Sequence, residues 1–171
     1  NVADEHFAPT NSARNNLLNE GIPESSIFLT GNTVIDALKF TEQRLSDDKV
    51  LNQSVSESLS KACEFDLVQK DYVLITGHRR ESFGLGFVSI CSAIQKLAIK
   101  FPDVMFVYPV HLNPNVQDPV KRILGNLQNV KLIKPQDYEH FIFLMINSKL
   151  ILTDSGGVQE EAPSLGKPVV L

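Results

Sequence analysis

The stretch of the chain best suited to chemistry is residues 150–163, LILTDSGGVQEEAP. It opens with an apolar run the length of a buried strand, and a small polar turn separates that run from residues that can start a helix. Ligands of open α/β sheets bind at the carboxyl ends of the strands. Ser155, Gly156 and Gly157 lie at such an end, where glycine N–H groups can approach an anion and a helix N-terminus adds positive partial charge. The pattern predicts a phosphate-binding site, and an ordinary turn capped by Ser or Asp is the alternative.

Two neighbouring glutamates, Glu160 and Glu161, follow this turn. Neighbours on a helix point about 100° apart, so only one of them can face the ligand that Ser155 faces. A carboxylate repels phosphate but suits a ribose diol, from which it accepts two hydrogen bonds. The alternatives are that acidic residues favour a helix N-terminus whatever the ligand, or a pair of general acids, which the diverging directions disfavour. Phosphate and ribose together predict a nucleotide.

These residues need a scaffold, and the hydrophobic pattern predicts one. Strands are expected at 26–29, 72–76, 104–110, 130–133, 150–153 and 169–171, and helices at 11–20, 34–45, 87–101, from about 113 to 124, 138–146 and 159–165. Strands that alternate with helices indicate right-handed βαβ units. We therefore expect an α/β fold with a Rossmann-like parallel sheet that carries helices on both faces.

This layout brings four loops to the carboxyl edge of one sheet: 77–81, 111–113, 135–137 and 154–157. His78, Arg79, Arg80 and His111 would then converge on the suspected phosphate site. Each has a plainer interpretation: His78 as a helix cap, the arginines as solvated surface, and His111 as a residue that ends a strand.

The composition excludes some functions. The 171 residues carry a net charge of −4, which favours neither nucleic acid nor an acidic membrane surface as a partner.

Cys63 and Cys91 lack the spacing of a metal or redox site and are expected to be buried thiols in a reducing compartment. No apolar run approaches the roughly 20 residues that span a bilayer, and no signal peptide is recognised. We expect a cytoplasmic protein without a membrane segment, a metal or a cofactor.

The sequence strongly resembles the non-hydrolysing UDP-N-acetylglucosamine 2-epimerases, which have a two-domain glycosyltransferase-B-type architecture. The matching stretches occur in family order and are APT at 8–10, TGNTVIDAL at 30–38, GHRRE at 77–81, YPVHLNP at 108–114 and DSGGVQEEAP at 154–163. The resemblance implies that UDP lies in a cleft between two Rossmann-like domains and is held mainly by the C-terminal one.

The resemblance also implies roles for single residues. Ser155, Gly156 and Gly157 would contact the pyrophosphate, and Glu161 would accept hydrogen bonds from the ribose. Phe141 matches a position whose backbone meets uracil, with Gln136 beside it; a core aromatic is the alternative for Phe141.

The remaining implied roles concern the reaction and a second site. His78 matches a functional histidine near the phosphates, which would stabilise departing UDP as negative charge builds on the β-phosphate. Arg79 and His111 are assigned to a neighbouring site, where bacterial members of the family bind a second substrate molecule as an activator.

The family converts UDP-N-acetylglucosamine to UDP-N-acetylmannosamine by inversion at C2, through elimination of UDP to 2-acetamidoglucal and re-addition. The resemblance suggests a homodimer that makes a precursor of surface polysaccharide. The family's acid and base carboxylates come from the N-terminal domain, and an arginine and a glutamate of the nucleotide site come from a segment beyond Leu171. We therefore expect the 171 residues to be a fragment that is inactive alone.

The expected domain organisation follows from this comparison. Residues 1–45 would be the end of the N-terminal domain and the interdomain connection, and residues 71–171 a UDP-binding Rossmann-like domain truncated at its C-terminus. Residues 46–70, serine-rich and polar, would be a linker or boundary, within which helical stretches remain possible.

Three other functions remain open. A glycosyltransferase of the same architecture would use the same diphosphate site and pass the sugar to an acceptor, and fold alone does not decide against it. A non-catalytic nucleotide-binding module would lack the catalytic carboxylates. A hydrolysing epimerase would release free N-acetylmannosamine and UDP.

Overall fold

A five-stranded parallel sheet forms the centre of the larger part of the structure. The computed structural model describes residues 3–77 and 85–171, which divide into two compact units between Phe40 and Thr41. The boundary falls within a helix, Thr33–Asp47.

From residue 3 onward, the first unit contains two short strands, the helix between them and the first part of the helix Thr33–Asp47. Strand β1 (His6–Ala8) pairs in parallel with β2 (Ile27–Leu29), and helix α1 (Asn11–Asn19) and a 3-10 turn at Glu24–Ser26 connect them. Ala8, Ile22 and Ile27 form its buried core, so the strands and α1 share one apolar interior.

Helix α1 begins at Asn11, as predicted, and Thr10 is its N-cap. The Thr10 hydroxyl accepts a hydrogen bond from the Ala13 N–H at 3.1 Å. Thr10 has the extended backbone, φ −141° and ψ 161°, that an N-cap residue requires, whereas Asn11 is already helical.

The second unit is a doubly wound sheet whose strands confirm the predicted positions. In sheet order they are β5 (Val130–Ile133), β4 (Met105–Pro109), β3 (Tyr72–Thr76), β6 (Leu150–Thr153) and β7 (Val169–Val170), all parallel. The strand order reverses between β3 and β6, which pair from Val73 opposite Leu150 to Thr76 opposite Thr153. A crevice for a ligand is expected at the carboxyl end of such a reversal.

In the described part of the second unit, helices flank this sheet. They are the C-terminal part of α2 (Thr33–Asp47), α3 (Lys49–Cys63), α4 (Leu85–Lys100), α5 (Pro114–Leu124), α6 (Tyr138–Asn147) and α7 (Gly156–Ser164). Right-handed crossovers place α4 and α5 on one face and α6 and α7 on the other. The buried cluster beneath α4 and α5 includes Ile75, Phe87, Cys91 and Tyr108.

Most of the polar region 46–70 is helix α3. Asp48 caps it by accepting a hydrogen bond from the Leu51 N–H at 2.9 Å, and Glu64 ends it in a left-handed conformation, with φ 60°. Val55, Leu59 and Cys63 are buried at intervals of four residues, so a narrow apolar stripe is enough to pack this polar helix. Whether the domains of the whole protein divide at residues 46–70 remains a prediction.

Helix α7 begins earlier than expected. The pattern predicted a start near Gln159, but the helix runs from Gly156, so both glycines belong to its first turn. Their N–H groups are therefore among the amides that an α-helix leaves without an intrahelical acceptor.

Candidate functional site

A cavity of about 240 Å³ opens at the carboxyl edge of the sheet, beside the reversal of strand order. It receives residues from the ends of β3, β4, β5 and β6 and from α6 and α7. The residues that line it are Thr76, Gly77, Pro109, His111, Pro135, Gln136, Phe141, Ser155 and Val158. The described parts of the four predicted loops therefore meet at one place.

The N-terminus of α7 forms one wall. Ser155 is its N-cap, with extended backbone (φ −82°, ψ 125°), and its hydroxyl makes no capping hydrogen bond. The Ser155 carbonyl accepts a hydrogen bond from the Gln159 N–H at 3.2 Å, so the amides of Gly156, Gly157 and Val158 precede the first intrahelical bond. Amides and a hydroxyl at a helix N-terminus are donors suited to phosphate oxygens.

Buried hydroxyls hold the ends of the two central strands. The Thr76 and Thr153 hydroxyl oxygens are 2.5 Å apart, and the Ser155 N–H donates to the Thr153 Oγ1 at 3.0 Å. The Tyr108 hydroxyl donates to the Gly77 carbonyl at 2.7 Å. Burial raises the pKa of Tyr108 well above its usual range, so this phenol stays a donor.

His111 lines the cavity from the loop after β4. Its Nδ1 accepts a hydrogen bond from the Asn113 N–H at 3.1 Å, so the proton of the neutral ring is on Nε2. Asn113 caps α5, with its side-chain oxygen accepting from the Asn115 N–H at 2.9 Å. The start of α5 therefore orients the imidazole at the cavity.

Gln136 and Phe141 line the opposite side. The Gln136 Nε2 donates a hydrogen bond to the Lys134 carbonyl at 2.7 Å. The carboxamide oxygen of Gln136 is therefore the atom of this side chain that can accept a hydrogen bond from a ligand. The Phe141 N–H donates to the Asp137 carbonyl at 2.9 Å, within α6. A backbone contact from Phe141 to a base would therefore use the carbonyl oxygen and not the amide.

Glu161 lies further along α7 and does not line this cavity. It is 8% exposed while Glu160 is exposed, in agreement with their diverging directions. The Tyr138 hydroxyl is 3.5 Å from Glu161 Oε1. Burial raises the pKa of the Glu161 carboxyl, and the charge of Glu160 raises it further, whereas the hydrogen bond from Tyr138 lowers it.

The structure thus brings His111, Gln136, Phe141 and Ser155 around one cavity, with Gly156 and Gly157 in the helical turn that follows Ser155. His78, Arg79 and Arg80, predicted to converge here, lie outside the described residues. The sequence reasoning missed Thr76, Thr153 and Tyr108, because threonine and tyrosine are common in strands and only the alternation of inward positions could have flagged them.

Other reactive groups lie elsewhere in the fold. Cys63 and Cys91 are buried free thiols, and burial raises their pKa values to about 12 and about 11, so neither thiol ionises near neutral pH. Across residues 3–77 and 85–171, no three His, Cys, Asp or Glu side chains are arranged to hold a metal ion. In the same ranges no helix is long and apolar enough to cross a membrane.

The whole chain matches one protein family, described as UDP-N-acetylglucosamine 2-epimerase, over residues 1–171. A UDP-N-acetylglucosamine 2-epimerase of Yersinia pestis is 54% identical over 170 residues, which is 99% of this chain and 44% of that protein. The chain therefore spans less than half the length of the curated relatives it matches.

Solved structures agree with this match. A UDP-GlcNAc 2-epimerase from Neisseria meningitidis, bound to UDP-GlcNAc, superposes with a TM-score of 0.87 at 46% identity, over 99% of this chain and 44% of that one. The Methanocaldococcus jannaschii enzyme in complex with UDP-GlcNAc and UDP gives a TM-score of 0.74 at 32% identity, over 98% of this chain and 45% of that one. The chain belongs to the UDP-N-acetylglucosamine 2-epimerase family.

Proposed function

We propose that the full-length protein interconverts UDP-N-acetylglucosamine and UDP-N-acetylmannosamine by inversion at C2 of the sugar. The observation that carries this proposal is the N-terminus of α7, where Ser155 and the amides that follow it stand at the crevice of a chain that belongs to this family. The relative from Neisseria meningitidis, solved with UDP-GlcNAc bound, supports the same ligand here.

In this proposal the nucleotide is held by three groups of residues. Ser155, Gly156 and Gly157 donate hydrogen bonds to the pyrophosphate, whose charge the helix end favours. Glu161 accepts hydrogen bonds from the ribose hydroxyls, for which an ionised carboxylate is the better acceptor. Gln136 and Phe141 contact uracil.

The reaction breaks two bonds and forms them again. A base removes the C2 proton as the bond between C1 and the UDP oxygen breaks, which gives 2-acetamidoglucal and UDP. Re-addition of UDP at C1 and of a proton at the opposite face of C2 gives the epimer. His78 stabilises the negative charge on departing UDP, and the full-length protein must keep the intermediate from water.

Two further assignments rest on the family pattern. Arg79 and His111 belong to a neighbouring site for a second, activating substrate molecule. The full-length protein acts as a cytoplasmic homodimer that supplies a precursor of surface polysaccharide.

The reaction is tested by incubating the full-length protein with UDP-GlcNAc in deuterium oxide and following the sugar by proton NMR. UDP-ManNAc with deuterium at C2 is the expected product, since the C2 proton is exchanged with solvent. Free ManNAc and UDP would instead identify a hydrolysing epimerase. Binding of UDP without turnover or exchange would contradict the proposal and favour a transferase or a binding module.

A further inference from the structure

The last pair of residues between β3 and β6 consists of two buried threonines. Thr76 is 9% exposed and Thr153 is 4% exposed, and their hydroxyl oxygens are 2.5 Å apart. That separation is at the short end of the range for hydrogen bonds between hydroxyl groups. The two side chains therefore form a bond across the point at which strand order reverses.

This bond continues into the backbone of the phosphate-binding turn. The Ser155 N–H donates to the Thr153 Oγ1 at 3.0 Å, and the Asp154 N–H donates to the Thr76 carbonyl at 3.2 Å. A hydroxyl has one donor and two acceptor positions, so Thr153 can accept from Ser155 and still bond Thr76 in either direction. The end of β3 and the start of α7 are thus connected through side chains as well as through the sheet.

Packing alone does not require hydroxyls here. The neighbouring positions on the two strands are apolar, with Leu74 and Ile151 fully buried, and valine has the shape of threonine. Buried hydroxyls are costly unless they are paired, and their bonds have direction that methyl groups lack. What the hydroxyls add is control over the direction of the Ser155 amide and of the turn that follows it.

We propose that Thr76 and Thr153 are positioning residues that hold the Ser155 turn, and with it the donors of Gly156 and Gly157, in the arrangement that receives the diphosphate of UDP. This inference rests on the proposed function, since it names the residues that preorganise the same site. Neither threonine is proposed to react.

The test replaces each hydroxyl in the full-length protein and measures UDP affinity by calorimetry. Thr76→Val loses one buried hydrogen bond and should weaken UDP binding about five- to tenfold. Thr153→Val loses two, with Thr76 and with the Ser155 N–H, and should weaken UDP binding at least as much. Thr153→Ser and Thr76→Ser keep the hydroxyl and should stay within about twofold of wild type. Ser148→Ala is the matched control, because it removes a buried hydroxyl bonded to the Met145 carbonyl at 2.9 Å, beyond the other end of β6.

Amide exchange at Ser155 separates this inference from the proposed function. The Ser155 N–H should exchange faster in Thr153→Val than in wild type or Ser148→Ala, with or without UDP. Unchanged exchange, wild-type affinity in both valine variants, or an equal loss of affinity in Ser148→Ala would overturn the positioning role. Failure of the wild-type protein to bind UDP would overturn the proposed function, while the exchange rates would still decide whether Thr153 holds the turn.

Discussion

At the scale of single residues, the buried carboxylate of Glu161 is the group that we propose for the ribose of the nucleotide. It lies on the same helix as the amides proposed to bind phosphate, is 8% exposed, and has the Tyr138 hydroxyl as a neighbour. A buried carboxylate is unfavourable unless it is paired, so a ligand with two hydroxyl donors would stabilise it.

Removal of this carboxylate should weaken UDP binding. We expect Glu161→Ala in the full-length protein to reduce the affinity for UDP by about 1.5–3 kcal/mol, the range for hydrogen bonds to a charged group. Isothermal titration calorimetry measures the change, and Glu160→Ala, at the exposed neighbour, serves as control. An affinity equal to wild type in Glu161→Ala would refute the ribose role.

The same residue should make stability depend on pH. Burial raises the pKa of Glu161, so the folded chain binds this proton more tightly than the unfolded chain does. Ionisation therefore costs stability once the pH rises above the unfolded pKa, which is about 4.3. Glu161→Gln should raise the Tm of the ligand-free protein at pH 7 and lose that advantage at or below about pH 4. A lower Tm of Glu161→Gln at pH 7 would contradict this prediction, because it would show that the charge of Glu161 stabilises the fold.

At the scale of elements, helix α7 packs against the core and is also proposed to bind the ligand at its first turn. Its first turn contains two glycines, while Val158 and Ala162 pack inward. Gly157 does not have positive φ, and a Cβ built there would have the Ser155 Oγ as its nearest neighbour, at 3.9 Å. The fold therefore has no need of glycine at this position, which supports the proposal that a ligand approaches it closely.

Gly157→Ala should separate binding from folding. We expect unchanged stability, or a gain of up to about 1 kcal/mol from better helix propensity, together with UDP affinity about tenfold lower because the Cβ occupies space near the diphosphate. Calorimetry and urea unfolding measure the two effects. Gly166→Ala is the opposite control: with φ of +68° it should lose about 1 kcal/mol of stability and keep its affinity. Wild-type UDP affinity in Gly157→Ala would contradict the assignment.

Helix α3 is an element whose packing was not evident from the sequence. Its many serines suggested a linker, and only the positions of Val55, Leu59 and Cys63 mark an inward side. Leu59→Ala should cost about 2–5 kcal/mol in the free energy of unfolding, because Leu59 is 0% exposed. Val50→Ala, at an 80% exposed position of the same helix, should cost little. Equal effects in urea unfolding would show that α3 is not packed as described.

At the scale of the whole molecule, the sheet could be predicted from the sequence, but the side-chain contacts between distant parts of the chain could not. The alternation of strands and helices from Tyr72 onward predicts parallel strands, and parallel strands bring their following loops to one edge. The pairing of β3 with β6 is not encoded in any local pattern, so the meeting of Thr76 with Thr153 and of Tyr138 with Glu161 appears only in three dimensions.

The edge of the sheet at which the candidate site lies follows from the same architecture. The N-terminus of α7, the His111 loop and the Gln136 loop all open on the carboxyl edge, while the paired glutamates diverge into one buried and one exposed side chain. The central claim that we propose is therefore that UDP binds at the first turn of α7.

The most direct test of that claim is to label the full-length protein with ¹⁵N-glycine and titrate it with UDP. The amide signals of Gly156 and Gly157, the latter assigned by its loss in Gly157→Ala, should shift and saturate at the affinity measured by calorimetry. If saturating UDP shifts other glycine signals but leaves these two unchanged, the claim is contradicted.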